Sequence, residues 1–292
     1  MSLTPEQIAM RTGHHGFVGA SEIAAIVGEN PWSKPIDVWL SKTGRVPPEP
    51  EDPRASVGLR AESTLLRWYQ EDHASALDGA SISSGASVRH PDCRMLGCTP
   101  DFIVRRGEAI DHLIQCKCVG ARVALMWPED DTLPSYVECQ VQVEMEVTGA
   151  PFAVVAAWLG GTDVRYIRTE RDPEFGALMR AAAERFWQHV LSDEPPEVDG
   201  SESWLRYLEA RYPKPERKPL DPATEDAERW ARVYLTTRDA EADAKARKAE
   251  AANHLRASIA DGSGMLGSSW VATWQADKNG KRILKVKERS FV

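Results

Sequence analysis

From residue 54 to residue 191 the apolar residues change spacing in a definite order: helix, three strands, helix, two strands, helix. Few folds accommodate that order. Residues 54–72 carry Leu65, Leu66 and Tyr69 three, four and seven positions after Glu62, which places Glu62 at the edge of a buried helical face. Residues 87–90, 97–105 and 109–118 read as strands of a meander. Residues 134–148 return to helical spacing, with Val137, Val141, Met145 and Thr148 on one side and Gln140 and Glu144 together beside that stripe. Residues 151–159 and 164–169 are strands turned through Gly160-Gly161, and residues 173–191 form an amphipathic helix. Elements interleaved in this way predict an α/β (α+β) fold, a mixed sheet with helices packed on it.

Two short helices are expected ahead of this unit. The first spans 20–27, with Ser21 as N-cap and Gly28 as its stop. The second spans 34–43, with Pro35 in its first turn and Gly44 at its end. After residue 192 the patterning lapses, and residues 193–222 hold six of the 19 prolines. Residues 223–260 are rich in Ala, Glu, Lys and Arg and read as a long solvated helix. Residues 268–292 read as a hairpin, with Trp270, Ala272 and Trp274 alternating and Asn279-Gly280 at the turn. The expected organisation is a main domain over 1–192, a Pro-rich linker over 193–222, and a C-terminal helix plus basic hairpin over 223–292.

Composition narrows the function classes. No apolar run approaches the roughly 20 residues that span a bilayer, and the N-terminus lacks a basic-then-apolar signal. A cytoplasmic protein without a membrane role is expected. All five cysteines fall between Cys93 and Cys139 without a CxxC pair, which speaks against both a disulfide framework and a metal cluster. The net charge of −8 is awkward for a nucleic-acid protein. Residues 277–292 run against it, with six basic residues to two acidic, and suit either a solvated hairpin or a DNA or partner contact.

The chemistry concentrates in Thr99-Pro100-Asp101 and Gln115-Cys116-Lys117. Alternation along a strand points Gln115 and Lys117 one way and Cys116 and Cys118 the other. Phosphodiester hydrolysis needs a hard cation held by oxygens, an activated water, and a positive group beside it. Asp101 and the carbonyl oxygens of Gln115 and Cys116 are suitable donors, Glu62 is a further one, and Lys117 is a suitable positive group.

Pro100-Asp101 with Gln115-Cys116-Lys117 resembles the PD-(D/E)xK nuclease signature. Gly19-Ala20-Ser21-Glu22-Ile23-Ala24 resembles the opening segment of YqaJ-like viral recombinases of the lambda-exonuclease type, and Asn30-Pro31-Trp32 through Val38-Trp39-Leu40 continues it. Gly58-Leu59-Arg60-Ala61-Glu62 and Gln140-Val141-Gln142 resemble that family's next two helical segments. The resemblance covers residues 16–160 well and 161–192 loosely. It implies a restriction-endonuclease-like fold and Mg²⁺-dependent digestion of duplex DNA from its ends, often 5′ to 3′, with Mn²⁺ able to substitute. It also implies a single-strand annealing partner and a ring-shaped homotrimer around DNA. By position it assigns Glu62, Asp101, Gln115 and the Cys116 backbone carbonyl to the metal, Lys117 to the nucleophilic water, Gln140 to support of the site, and Ser21 to a DNA phosphate.

Two positions depart from the family pattern. The family usually has Glu where this chain has Gln115. A tolerated variant that coordinates through its amide oxygen, an engineered substitution, and a protein that binds DNA without cutting it are the three readings. The first is favoured because Glu62, Asp101 and Lys117 all remain. The family also has an Arg before its opening segment, suited to a terminal phosphate. Arg11, His14 or His15 stands in that region here. The competing functions are an end-dependent exonuclease, a DNA-end-binding module without catalysis, and a structure-specific endonuclease.

Overall fold

The structure, a computed structural model, describes residues 16–45, 53–215 and 222–289. The chain divides into two compact units between Lys214 and Pro215.

The first unit is built on a five-stranded sheet of order β2-β5-β6-β7-β8. Its strands are β2 (Ser81–Ser84), β5 (Phe102–Arg106), β6 (Ala109–Val119), β7 (Phe152–Leu159) and β8 (Asp163–Glu170). All neighbours pair antiparallel except β6 and β7, which run parallel with Gln115 opposite Val155 and Lys117 opposite Ala157. A parallel pair needs a long return connection. Here that connection contains the short α4 (Ala121–Ala124) and then α5 (Ser135–Thr148).

Helix α5 lies on one face of the sheet, where Val137, Val141 and Met145 pack with Leu113, Ala153, Val155 and Ala157. Its far side, through Cys139, Val143 and Val147, packs with α1 (Ala20–Ile26), α2 (Pro35–Lys42) and α6 (Pro173–Ser192). Helix α5 is therefore apolar on two sides and polar only where something answers it. The opposite face of the sheet is covered by α3 (Pro53–Asp72), whose Leu65 and Tyr69 pack with Ile114, Cys116, Val154 and Ala156. The result is a layered mixed α/β unit.

Several expectations need correction. The stretch 97–105 is not one strand. It breaks at Thr99–Asp101 into β4 (Leu96–Cys98) and β5, and β4 joins a separate small sheet of order β1-β4-β3 with β1 (Val18–Gly19) and β3 (Val88–Arg89). Pro100 has no N–H for a ladder. Gly85 also passes so close to the Pro100 carbonyl that a side chain at 85 would collide with it. Strand β2 escaped the pattern because Ser-Ile-Ser-Ser lies mostly exposed at a sheet edge, without apolar alternation. Ser21 is not the N-cap of α1. Gly19 takes that place, and its N–H donates to Glu22 Oε2 at 2.8 Å.

Within the stretch read as a Pro-rich linker, Glu202–Arg211 form α7. Ser201 caps it by accepting from the Trp204 N–H at 3.2 Å. Trp204 is buried in the same core as Trp39 and Trp187.

The second unit contains α8 (Glu225–Ile259) and a sheet of order β11-β10-β9, from β9 (Gly264–Leu266), β10 (Trp270–Ala276) and β11 (Arg282–Glu288). In the β10–β11 hairpin Ala272 faces Val286 and Trp274 faces Leu284. Gly280 supplies the positive φ of the turn. Arg282 stacks over Trp274 and donates to the carbonyls of Ala260 and Gly262, fastening the hairpin to the end of the helix. Among the described residues, no helix is long and apolar enough to cross a membrane.

Candidate active site

The break after β4 places Asp101 where the chain enters the large sheet, beside the middle of β6. Asp101 Oδ2 accepts from the Gln115 Nε2 at 2.6 Å and from the Cys116 backbone N–H at 2.7 Å. The alternation expected on β6 holds. Cys116 packs toward α3, while Lys117 reaches α5 and donates from Nζ to Gln140 Oε1 at 2.7 Å. Gln140 in turn donates from Nε2 to Glu144 Oε1 at 2.8 Å. Glu62 comes from α3, on the other side of the sheet. Its charge interacts with Asp101 and Lys117, and its carbonyl lies 3.8 Å from Cys116 Sγ. The structure thus brings Glu62, Asp101, Gln115, Cys116, Lys117 and Gln140 into one neighbourhood.

Burial sets the electrostatics. It pushes the Asp101 carboxyl up, while the Cys116 N–H, the Lys117 charge and the Gln115 amide pull it down. Glu62 is raised by burial and by the nearby Asp101, against Lys117. Lys117 is lowered by burial, with Glu144 the leading charge that opposes the shift. Glu144 is 1% exposed, and burial pushes its carboxyl up to about 8, against the Gln140 hydrogen bond and Lys117. Carboxyls raised in this way mark a desolvated site where added positive charge would be favourable.

Among the described residues, no three His, Cys, Asp or Glu side chains converge as a metal set. A set has to draw on other oxygens. Gln115 Oε1 is buried without a hydrogen-bond partner among the described residues. Together with the carboxylates of Asp101 and Glu62 and the Cys116 carbonyl, it makes an oxygen-only donor group that fits a hard divalent cation.

A cavity of about 230 Å³ adjoins these residues, lined by Ser21, Lys42, Cys98, Thr99, Gln140 and Glu144 among others. Lys42 is almost fully buried and pairs with Glu22 at 2.7 Å. Sequence reasoning missed Lys42, which reads as the last residue of an ordinary helix. It also left Glu144 unassigned, although Glu144 follows Gln140 by one helical turn. Arg11, His14 and His15 lie outside the described residues.

Residues 8–151 match the YqaJ-like viral recombinase domain. This stretch is a YqaJ-like viral recombinase domain. The recombinase domain contains every residue of the constellation described above. Over a longer span, YqaJ of Bacillus subtilis (strain 168) is 28% identical across 265 residues, covering 88% of this chain and 80% of that protein. The alkaline exonuclease LHK-Exo of Laribacter hongkongensis superposes with a TM-score of 0.50 at 16% identity, covering 71% of this chain and 97% of the exonuclease. The same exonuclease in complex with dAMP gives 0.51 at 17% identity, with the same coverage. The mixed α/β fold of the first unit is thus one that solved exonuclease structures share.

Proposed function

We propose that this protein is a metal-dependent deoxyribonuclease that digests linear duplex DNA from its ends, 5′ to 3′, leaving single strands for recombination. The observation that carries the reading is the pair of hydrogen-bonded arms Asp101–Gln115 and Lys117–Gln140 on adjacent elements of a viral recombinase domain. Asp101, Glu62, Gln115 through Oε1, and the Cys116 carbonyl would hold Mg²⁺, or Mn²⁺ in its place. A bound divalent cation supplies Lewis-acid polarisation of the phosphate and lowers the pKa of water. Lys117, held at 2.7 Å by Gln140, orients the attacking water and offsets the charge that develops on the phosphate.

Ser21 and Lys42 line the adjacent cavity and suit a DNA phosphate. Arg11 and His14 precede them in sequence and belong to the same proposed end-binding site. A ring-shaped trimer and an annealing protein as partner complete the reading.

A second reading, binding of DNA ends without cleavage, is favoured by one observation. Gln115 stands where the family has Glu, and its amide N–H occupies an oxygen of Asp101 without adding charge.

Digestion of linear and circular duplex DNA with Mg²⁺ or Mn²⁺ separates these readings, using the natural sequence, Gln115→Glu and Lys117→Ala. The expected result is loss of linear DNA, sparing of circles, and a fall of at least about 100-fold on Lys117→Ala. End binding without cutting by both the natural sequence and Gln115→Glu would leave the second reading. Cleavage of circles would make the protein an endonuclease.

A further inference from the structure

Glu144 is nearly inaccessible, and its Oε2 has no hydrogen-bond partner among the described residues. A carboxyl buried in this way costs stability, and an apolar residue would fill the same space at less cost. Among the described residues its side chain is hydrogen-bonded to Gln140, one helical turn earlier, whose Nε2 donates to Glu144 Oε1 at 2.8 Å. A glutamine amide can sit in either of two senses, related by a half-turn, that exchange its oxygen and nitrogen. Glu144 keeps an acceptor oxygen in either protonation state, and here it takes the hydrogen bond from the Gln140 nitrogen. The amide oxygen then faces Lys117, whose ammonium has only donors to give.

We propose that Glu144 is a positioning residue, which fixes the sense of the Gln140 amide so that its oxygen holds the Lys117 ammonium in the catalytic neighbourhood. The inference rests on the nuclease reading for its kinetic consequence but not for its geometry. Glu144 touches neither DNA nor reacting atoms in this scheme. It acts through two hydrogen bonds in series, 2.8 Å and 2.7 Å long.

The test compares Glu144→Leu, which fills the space without an acceptor, with Glu144→Gln, which can still present an oxygen to Gln140. In the full chain, Glu144→Leu is expected to lower kcat by about 10-fold or more with KM unchanged, because small misplacements of a catalytic group are costly. Glu144→Gln is expected to stay within about threefold of the natural sequence, since one acceptor is retained. Adding Glu144→Leu to Gln140→Leu should cost nothing further, since the two act as one unit. An unchanged kcat in Glu144→Leu, or equal losses in Glu144→Leu and Glu144→Gln, would overturn the proposal. A second readout needs no catalysis. The side-chain NH₂ resonances of Gln140 should shift in Glu144→Leu and persist in Lys117→Ala, and resonances indifferent to Glu144→Leu would also overturn it. If neither the natural sequence nor Gln115→Glu cuts DNA, the nuclease reading fails, and the Gln140 resonances alone decide the positioning role.

Discussion

Asp101 and Glu144 are both carboxyls buried near Lys117, but the chain treats them differently. Asp101 receives two hydrogen bonds on one oxygen, while one oxygen of Glu144 has no partner among the described residues. The difference has a thermodynamic consequence. Glu144 titrates near 4.5 when unfolded and at about 8 when buried, so across that interval the folded protein binds the proton more tightly. Its contribution to stability is full below about pH 4.5 and is lost as pH rises through about 8, at about 1.4 kcal/mol per unit of difference. Melting temperature measured in chelator should therefore fall between about pH 5 and pH 8, and Glu144→Gln should flatten that fall. Parallel pH dependences in the two proteins would contradict it. At this scale the sequence was readable where strand alternation sufficed: Gln115 and Lys117 share a face of β6 as their spacing indicated, whereas Asp101, expected within a strand, stands at the break just before β5. It was not readable for Glu144 or Lys42. Helical spacing puts Glu144 beside Gln140, but nothing local reveals that α5 is enclosed by a sheet on one side and helices on the other.

Among the elements, α5 carries most of the responsibility, since it bears Gln140 and Glu144 and joins two cores. It is held in place by an ionic clamp two residues beyond Glu144. Glu146 pairs with Arg171 at 2.8 Å, Arg180 at 3.2 Å and His90 at 3.3 Å, tying α5 to the start of α6 and to the segment after β3. Gly176 leaves room for that carboxylate, which a side chain at 176 would strike. Removing one member of a buried ionic group strands the others, so Glu146→Ala should destabilise the protein by about 3–5 kcal/mol in urea unfolding. A loss below about 1 kcal/mol would mean that the arginines are already solvated.

Helices α1, α2, α3, α5 and α6 were legible from spacing, and α5 and α6 lie almost where the pattern placed them, whereas the short α4 was not. The strands were less so. Residues 97–105 read as one strand although their two halves belong to different sheets; Pro100, without an N–H for a ladder, and the close approach of Gly85 to its carbonyl mark the break. Helix α7 was hidden for a related reason. Prolines on both sides suggest a connector, whereas Trp204 finds a pocket that only the folded core provides.

At the scale of the whole molecule, the aromatic and aliphatic residues that build the three cores all lie at or before Tyr207. The solved exonuclease LHK-Exo likewise matches only 71% of the chain. A chain ending at Lys214 should therefore melt within about 2 °C of the full-length protein in its main transition, a difference under about 1 kcal/mol. A larger drop would show that the first unit draws stability from residues 215–292. The same pair of proteins, compared for DNA affinity, settles whether the basic hairpin meets DNA.

The parallel pairing of β6 with β7 also bears on the order in which the ribosome makes the parts. Asp101, Gln115 and Lys117 are synthesised first, Gln140 and Glu144 follow in the connection, and β6 gains its second neighbour only when β7 has emerged. A translation product cut short before residue 152 would carry the acids and the lysine on an unfinished sheet. On the proposed reading, a copy interrupted before β7 lacks the strand that β6 pairs with, and it should not cut DNA.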